Sequence, residues 1–147
     1  MRAADQYHVG LVVEDLDGAL EELGRWPGHE WGPEVDVEQP VRLPDGDATV
    51  RFRFRYSCTE PRIEVVEARP GTVWTPSGAG VHHLGFWSDD VDADGSALVG
   101  AGYAFEAAGI GEDGGSPWSF HRHPSGLRIE LVSRAMEPLM SALWSTP

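Results

Sequence analysis

Two histidines and two glutamates hold matching places in a chain that is written twice. The run YHVGLVVEDLD at 7–17 aligns without gaps on HHLGFWSDDVD at 82–92, which sets His8 on His83, Gly10 on Gly85, Asp15 on Asp90 and Asp17 on Asp92. Further along, RIEVV at 62–66 returns as RIELV at 128–132 and sets Glu64 on Glu130. Neutral imidazole with carboxylate is a ligand set for a borderline divalent cation such as Zn, Ni, Co or Mn. Two carboxylates neutralise such an ion, and four protein ligands on a six-coordinate metal leave room for water or substrate. A lone strand histidine is ordinarily structural, but a glutamate buried among apolar residues is costly unless something compensates its charge. Four such residues at doubled positions point to one metal site built from His8, Glu64, His83 and Glu130.

The elements that carry them follow from hydrophobic period and breakers. Each copy reads as a strand, a helix and three further strands, an α+β arrangement of two pseudo-symmetric βαβββ modules at about 6–67 and 81–133. A Pro- and Gly-rich linker at 68–80 joins them, and a tail at 134–147 includes a helix candidate from Glu137; the 147 residues make a single domain. Asp15 and Asp90 are suited to cap the helices. The middle strands of the first copy are expected near 29–37 and 48–56, separated by Pro40, Pro44 and the Asp45-Gly46 turn. Those of the second are expected near 102–108, 117–123 and 127–133. Alternation along a strand puts Val9, Leu11 and Val13 on the face a helix covers and His8, Gly10 and Val12 on the other. The same rule puts Glu64 and Glu130 on the histidine side, with Gly10 and Gly85 keeping that floor free of side chains.

Other residues are candidates for holding a substrate. Arg51, Arg53 and Arg55 alternate with Phe52, Phe54 and Tyr56, so one strand face is wholly basic; it either lines the site and grips an anion or forms a solvated row paired with nearby acids. Trp87 shares the His83 face and is the candidate pocket wall, and Trp118, Trp74 and Trp31 are candidates for the mouth. Arg62 and Arg128 share parity with the glutamates and are candidates for the rim. His82, His121 and His123 read as structural or exposed.

The charge balance, 24 acids against 11 bases that are all Arg, gives a net charge of −13. Such a field repels nucleic acid and anionic lipid, so neither is an expected partner. One cysteine, Cys58, excludes an internal disulfide framework. The polar start of the chain and the lack of any apolar run of about 20 residues point to a cytoplasmic protein.

With these residues in place, the chain resembles the vicinal oxygen chelate superfamily, which includes glyoxalases, bleomycin resistance proteins and ring-cleaving dioxygenases. The resemblance runs from Gln6 to Ser133. It implies a cupped, mixed but mostly antiparallel sheet around the metal, with His8, Glu64, His83 and Glu130 as ligands. The runs GVHHLGFWSDDVDA at 80–93 and FHRHPSGLRIELV at 120–132 are similar to those of methylmalonyl-CoA epimerases, which commonly have Gln at the position of Glu64. The complete His/Glu/His/Glu set is closer to glyoxalase I. The resemblance implies a metal-dependent epimerase, isomerase or glyoxalase-type lyase that acts by proton transfer, with Glu64 and Glu130 as acid and base. Its substrate is expected to be a small oxygenated molecule, anionic or a thioester. A protein that holds an aromatic ligand in the cup is the second reading and a ring-cleaving dioxygenase the third. Free strand edges on each module, together with the family's habit of pairing modules within or across chains, make a homodimer the expected assembly.

Overall fold

Both histidine-bearing runs form strands, and each passes into a helix capped by the repeated aspartate. In the computed structural model, which describes residues 1–145, the first module consists of β1 (Gln6–Val13), α1 (Leu16–Gly24), β2 (Val35–Leu43), β3 (Gly46–Tyr56) and β4 (Arg62–Glu67). The second consists of β5 (Val81–Ser88), α2 (Val91–Gly100), β6 (Ala104–Gly109), β7 (Trp118–Arg122) and β8 (Arg128–Ser133). The Asp15 carboxylate accepts from the Gly18 amide and that of Asp90 from Ala93, each satisfying a donor that the first helical turn leaves free. α2 rests Val91 and Leu98 on Phe86, Ile129 and Leu131, forming a small core outside the sheet.

One boundary differs from the sequence expectation. β2 lies not at 29–37 but at Val35–Leu43, running straight through Pro40. Leu43 pairs with Gly46 across the two-residue turn Pro44-Asp45, and Gly46 has φ 131. Proline is tolerated there because it sits at the end of the short β2–β6 contact, where its carbonyl still accepts from the Ile110 amide at 3.1 Å and only its missing N–H leaves a bond unmade. Residues 29–34 form only the isolated bridge from Trp31 to Ser57.

The strands lie in the order β1-β4-β3-β2-β6-β7-β8-β5 and close into a barrel. The pairs β1–β4 and β5–β8 are parallel and the rest antiparallel, so the sheet is mixed and mostly antiparallel. Closure rests on the β1–β5 seam at one side and on the short β2–β6 contact, Val41 with Gly109 and Arg42 with Ala108, at the other. The closure is narrow at β2–β6, so the Val35–Gln39 stretch of β2 keeps an unpaired edge on that side. The main core lies inside the barrel and is largely aromatic, with Phe52, Tyr56, Trp74, Trp87, Trp118 and Phe120 among its members. After β8 the chain turns through α3 (Glu137–Met140), flanked by short 3-10 turns, and packs Met136, Met140, Leu143 and Trp144 against that core. Arg134 fastens this tail by pairing with Asp5 at 2.9 Å and Asp89 at 2.7 Å. No helix among the described residues is long and apolar enough to cross a membrane.

Candidate metal centre

The seam between modules places the four ligand candidates together. Across β4, β1 and β5 one row reads Glu64, Gly10, His83; across β1, β5 and β8 the row beside it reads His8, Gly85, Glu130. Each histidine therefore reaches over the other module's glycine toward the other module's glutamate. His8 Nε2 stands 3.1 Å from Glu130 Oε2 and 3.7 Å from Glu64 Oε2, while His83 Nε2 stands 3.2 Å from Glu64 Oε2 and 3.5 Å from Glu130 Oε2. A Cβ added to Gly10 would fall inside the His83 ring, and one added to Gly85 inside the His8 ring. The glycines do more than keep a floor clear: they are the space in which the opposing imidazoles lie.

All four side chains are buried, His8 to 2% exposure, His83 to 1%, Glu64 to 6% and Glu130 to 8%. The two Nε2 atoms face one another at 3.0 Å, and one ligand atom from each of the four residues lies within 4.8 Å of all the others. Donors held about 2.1 Å from a common ion stand roughly 3.0 to 3.4 Å apart, depending on the angle between them. Three of the five histidine-centred separations, 3.0, 3.1 and 3.2 Å, fall in that range, and the other two, 3.5 and 3.7 Å, lie a little beyond it. Glu130 Oε2 is buried with no hydrogen-bond partner. Lone pairs converging on one point, with no donor of their own, suit a cation. The electrostatics agree. Burial pulls His83 down, but the contacts from Glu130 and Glu64 outweigh it and raise it to about 9. Burial likewise pushes Glu130 up, but His8 and His83 hold it below the ordinary carboxylate range. The carboxylates demand positive charge, and in the protein alone a proton on imidazole answers that demand.

The two half-sites are symmetric in their ligands but not in their supports. Each ligand histidine follows a residue at a register shift of the β1–β5 seam, Tyr7 on one strand and His82 on the other. A bulge of this kind turns a side chain off the face that strict alternation gives it. His82 Nε2 lies 2.9 Å from the Val73 carbonyl, which can only accept, so Nε2 carries the proton and Nδ1 is an acceptor. His82 Nδ1 lies 2.9 Å from His83 Nδ1, which therefore donates and leaves Nε2 as the atom facing the cluster. Burial and the neighbouring His83 push His82 down to about 3, so it stays neutral and keeps this role. In the first module the bulged residue is Tyr7, and the buried Nδ1 of His8 has no partner. Strict alternation gave His82 the wrong face for the metal. It does face away from the ligand atoms, but it grips the ligand from behind.

Through its two glutamates the centre borders a cavity of about 90 Å³ walled by Tyr7, Phe52, Phe54, Tyr56, Trp74, Trp118 and Phe120, with Gln39 and the tail residues Met136 and Met140. Glu64 and Glu130 both border it. Tyr56 lies opposite Glu64 in the β3–β4 register, and burial with the charge of Glu64 raises its phenol well above the usual range. The Tyr7 hydroxyl is buried without a hydrogen-bond partner, and its phenol is raised in the same way by burial and then by Glu130 and Glu64.

The other candidates fall in different places. Trp118 and Trp74 line the cavity, but Trp87 does not: it stacks on Tyr7 at 3.9 Å with an interplanar angle of 11°, and Tyr7 is the ring that reaches the cavity. Trp31 stands away from the cavity, across a bridge to Ser57. The arginine row points outward. Arg51 forks onto Asp36 at 2.6 and 2.7 Å, Arg53 is shared among Glu34, Asp17 and Glu67, and Arg55 stands 3.8 Å from Glu34. The alternating Phe52, Phe54 and Tyr56 are the inward face, so the aromatic half of that strand, not the basic half, meets a substrate. Arg62 stacks over Trp144 at 4.1 Å and pairs with Glu60, and Arg128 forks onto Glu106. His121 and His123 bond to Ser119 and Ser125.

Comparison with known proteins adds to this picture. The chain matches the model of the Glyoxalase/Bleomycin resistance protein/Dioxygenase superfamily over residues 7–121. No curated protein sequence matches it. Among solved structures it is similar to a variant of Streptomyces coelicolor methylmalonyl-CoA epimerase in complex with 2-nitronate-propionyl-CoA, with TM-score 0.57 and 24% identity over 89% of this chain and 97% of that one. Methylmalonyl-CoA epimerase from Mycobacterium tuberculosis gives 0.56 and 21% over 95% and 96%. A hypothetical protein from Bacillus halodurans gives 0.58 and 16% over 88% and 93%. At such identities the likeness establishes the fold.

Proposed function

The chain belongs to the glyoxalase, bleomycin resistance protein and dioxygenase superfamily, and on that premise we propose that it is a metal-dependent enzyme of proton transfer, an epimerase or isomerase acting on a small oxygenated substrate. The observation that carries this reading is the convergence of two buried histidines and two buried glutamates on one point bordering a cavity. His8, Glu64, His83 and Glu130 would hold a divalent cation of the Zn, Ni, Co or Mn group, which when bound acts as a Lewis acid that polarises a carbonyl and acidifies the neighbouring C–H. The chain's own residues supply the rest. Glu64 and Glu130 come from different modules and both border the cavity, so either carboxylate is at hand for a substrate held there, and one acid/base could serve each face. One takes the proton; its return to the same carbon from the opposite face is epimerisation, and to the adjacent carbon isomerisation. The aromatic walls and the methionines of the tail present apolar surface around the carboxylates, which favours return of a proton to substrate over its loss to solvent.

The same walls support the second reading, a protein that sequesters an aromatic ligand unchanged. For the third, ring cleavage, Glu64 stands as a fourth ligand candidate where the resemblance expects none. Solvent deuterium exchange into the carbon beside a carbonyl separates the proposal from both. It requires only the loaded site and a base, and methylmalonyl-CoA and the glutathione hemithioacetal of methylglyoxal open the panel.

The support behind His83 gives a further expectation. His82→Phe keeps the volume but deletes both hydrogen bonds, and it should weaken metal binding by about ten- to a hundredfold, the usual cost of losing an orienting partner. His82→Gln can still donate to the Val73 carbonyl and accept from His83, and should recover part of the loss. Metal titration with a chelating indicator reads both. Unchanged affinity in His82→Phe would remove the positioning role.

A further inference from the structure

Resting on the metal-dependent reading, we infer that the substrate has an apolar or aromatic body with no anionic group away from its metal-chelating oxygens, and that the cavity walls select against such a group. Charge at the centre decides first. Two neutral imidazoles, two carboxylates and a divalent cation sum to zero, so beyond bonds at its open positions the loaded centre has no excess positive charge to hold a second anionic group. The walls offer none either. The chain has no Lys, and none of its 11 Arg lines the cavity. Arg51 and Arg53, which sequence alternation could have turned inward, are committed to Asp36, Glu34, Asp17 and Glu67 on the outside. A chain of net charge −13 adds a repulsive field at long range. An anion entering this cavity would shed its hydration and find no countercharge, which is the most expensive form of burial.

What the cavity does offer is aromatic surface and dipoles. Phe52, Phe54, Trp74 and Phe120 provide walls for an apolar body, and Trp74 meets Phe52, Trp118 and Phe120 edge-on at 4.6 to 5.8 Å, a packed cluster rather than a loose one. The polar groups among the walls are uncharged side chains: the Tyr7 and Tyr56 phenols, and the Gln39 amide, whose oxygen accepts from Trp118 Nε1 at 3.3 Å. At about 90 Å³ the cavity holds a compact group, and any longer part of a substrate would extend out of its mouth.

Three hydroxamic acids that share one oxygen-chelating head test the inference: acetohydroxamic, benzohydroxamic and 4-carboxybenzohydroxamic acid, titrated into the cobalt-loaded protein and followed by the visible spectrum of the ion. Because the head is constant, differences report the walls. Benzohydroxamic acid is expected to bind at least tenfold more tightly than acetohydroxamic acid, and the carboxylated analogue at least tenfold more weakly than its parent. Equal affinity across the three, or preference for the carboxylated compound, overturns the inference while leaving the metal centre standing. A protein that takes up no cobalt overturns the metal-dependent reading and this inference with it, so the two failures are told apart.

Discussion

Protein purified without chelator is expected to contain close to one divalent cation per chain, and His8→Ala or His83→Ala to abolish it. The expectation follows from the geometry of the seam. Each row places a histidine from one module over the glycine of the other and against the other's glutamate, so removing any one residue opens the sphere on a side that no other described donor can reach. Losing a direct ligand should cost well over the about ten- to hundredfold expected for an orienting neighbour such as His82. The fold itself should survive: the ligand histidines touch the aromatic core only edge-on, His8 at Tyr56 and His83 at Phe120, and the α2 core does not involve them. A ligand that binds only the folded state stabilises it by about 2.7 kcal/mol at a hundredfold excess over its dissociation constant, so chelator should lower the melting temperature of the native protein and leave the variants unmoved. Elemental analysis and thermal unfolding with and without chelator measure both. Full occupancy in both variants would discard this site.

Much of this arrangement was legible beforehand because it depends on short-range rules. Period-two alternation separates His8 and His83 from the helix-facing row, and the repeat doubles the signal, so ligand candidates and module boundaries can be read without a structure. What could not be read depends on partners distant in the chain. Alternation in β3 shows that Arg51, Arg53 and Arg55 share one face and Phe52, Phe54 and Tyr56 the other, but it does not say which face is inside. That is settled by Asp36 and Glu34 on or before β2, Asp17 on α1 and Glu67 on β4, which gather outside the barrel and hold the arginines there. The register shifts at Tyr7 and His82 are invisible for a related reason. A bulge is a mismatch between two strands, here β1 and β5, and neither strand's own pattern contains it. Trp87 was therefore the reasonable wall by parity, and Tyr7, which the bulge turns inward, takes its place. The tail residues Met136 and Met140 gave no more than a weak helical signal, and their role as part of the cavity comes from the salt bridges of Arg134 that fold the tail back.

The chemistry gives the second large effect. Glu64→Gln and Glu130→Gln each preserve side-chain volume and one oxygen that can still face the ion, but neither amide can take a proton from carbon. At least one of the two variants is expected to retain part of its metal and, normalised to bound metal, to lose solvent exchange by roughly a hundredfold or more, the contribution of a positioned base. If both carboxylates serve, one on each face, the two variants should fail differently. One should still exchange the proton of a substrate enantiomer presented to its intact glutamate, and the other the proton of the mirror-image enantiomer. The placement of Glu64 and Glu130 in separate modules on the border of one cavity is what makes this asymmetry possible. Deuterium incorporation followed by NMR on each enantiomer of a chiral hydroxyketone reads it directly. Wild-type exchange per bound metal in both variants would take the base role away from these residues. Absence of exchange in the native, fully loaded protein across hydroxyketones and acyl thioesters, together with tight binding of an aromatic compound recovered unchanged, would put the sequestering protein in the enzyme's place.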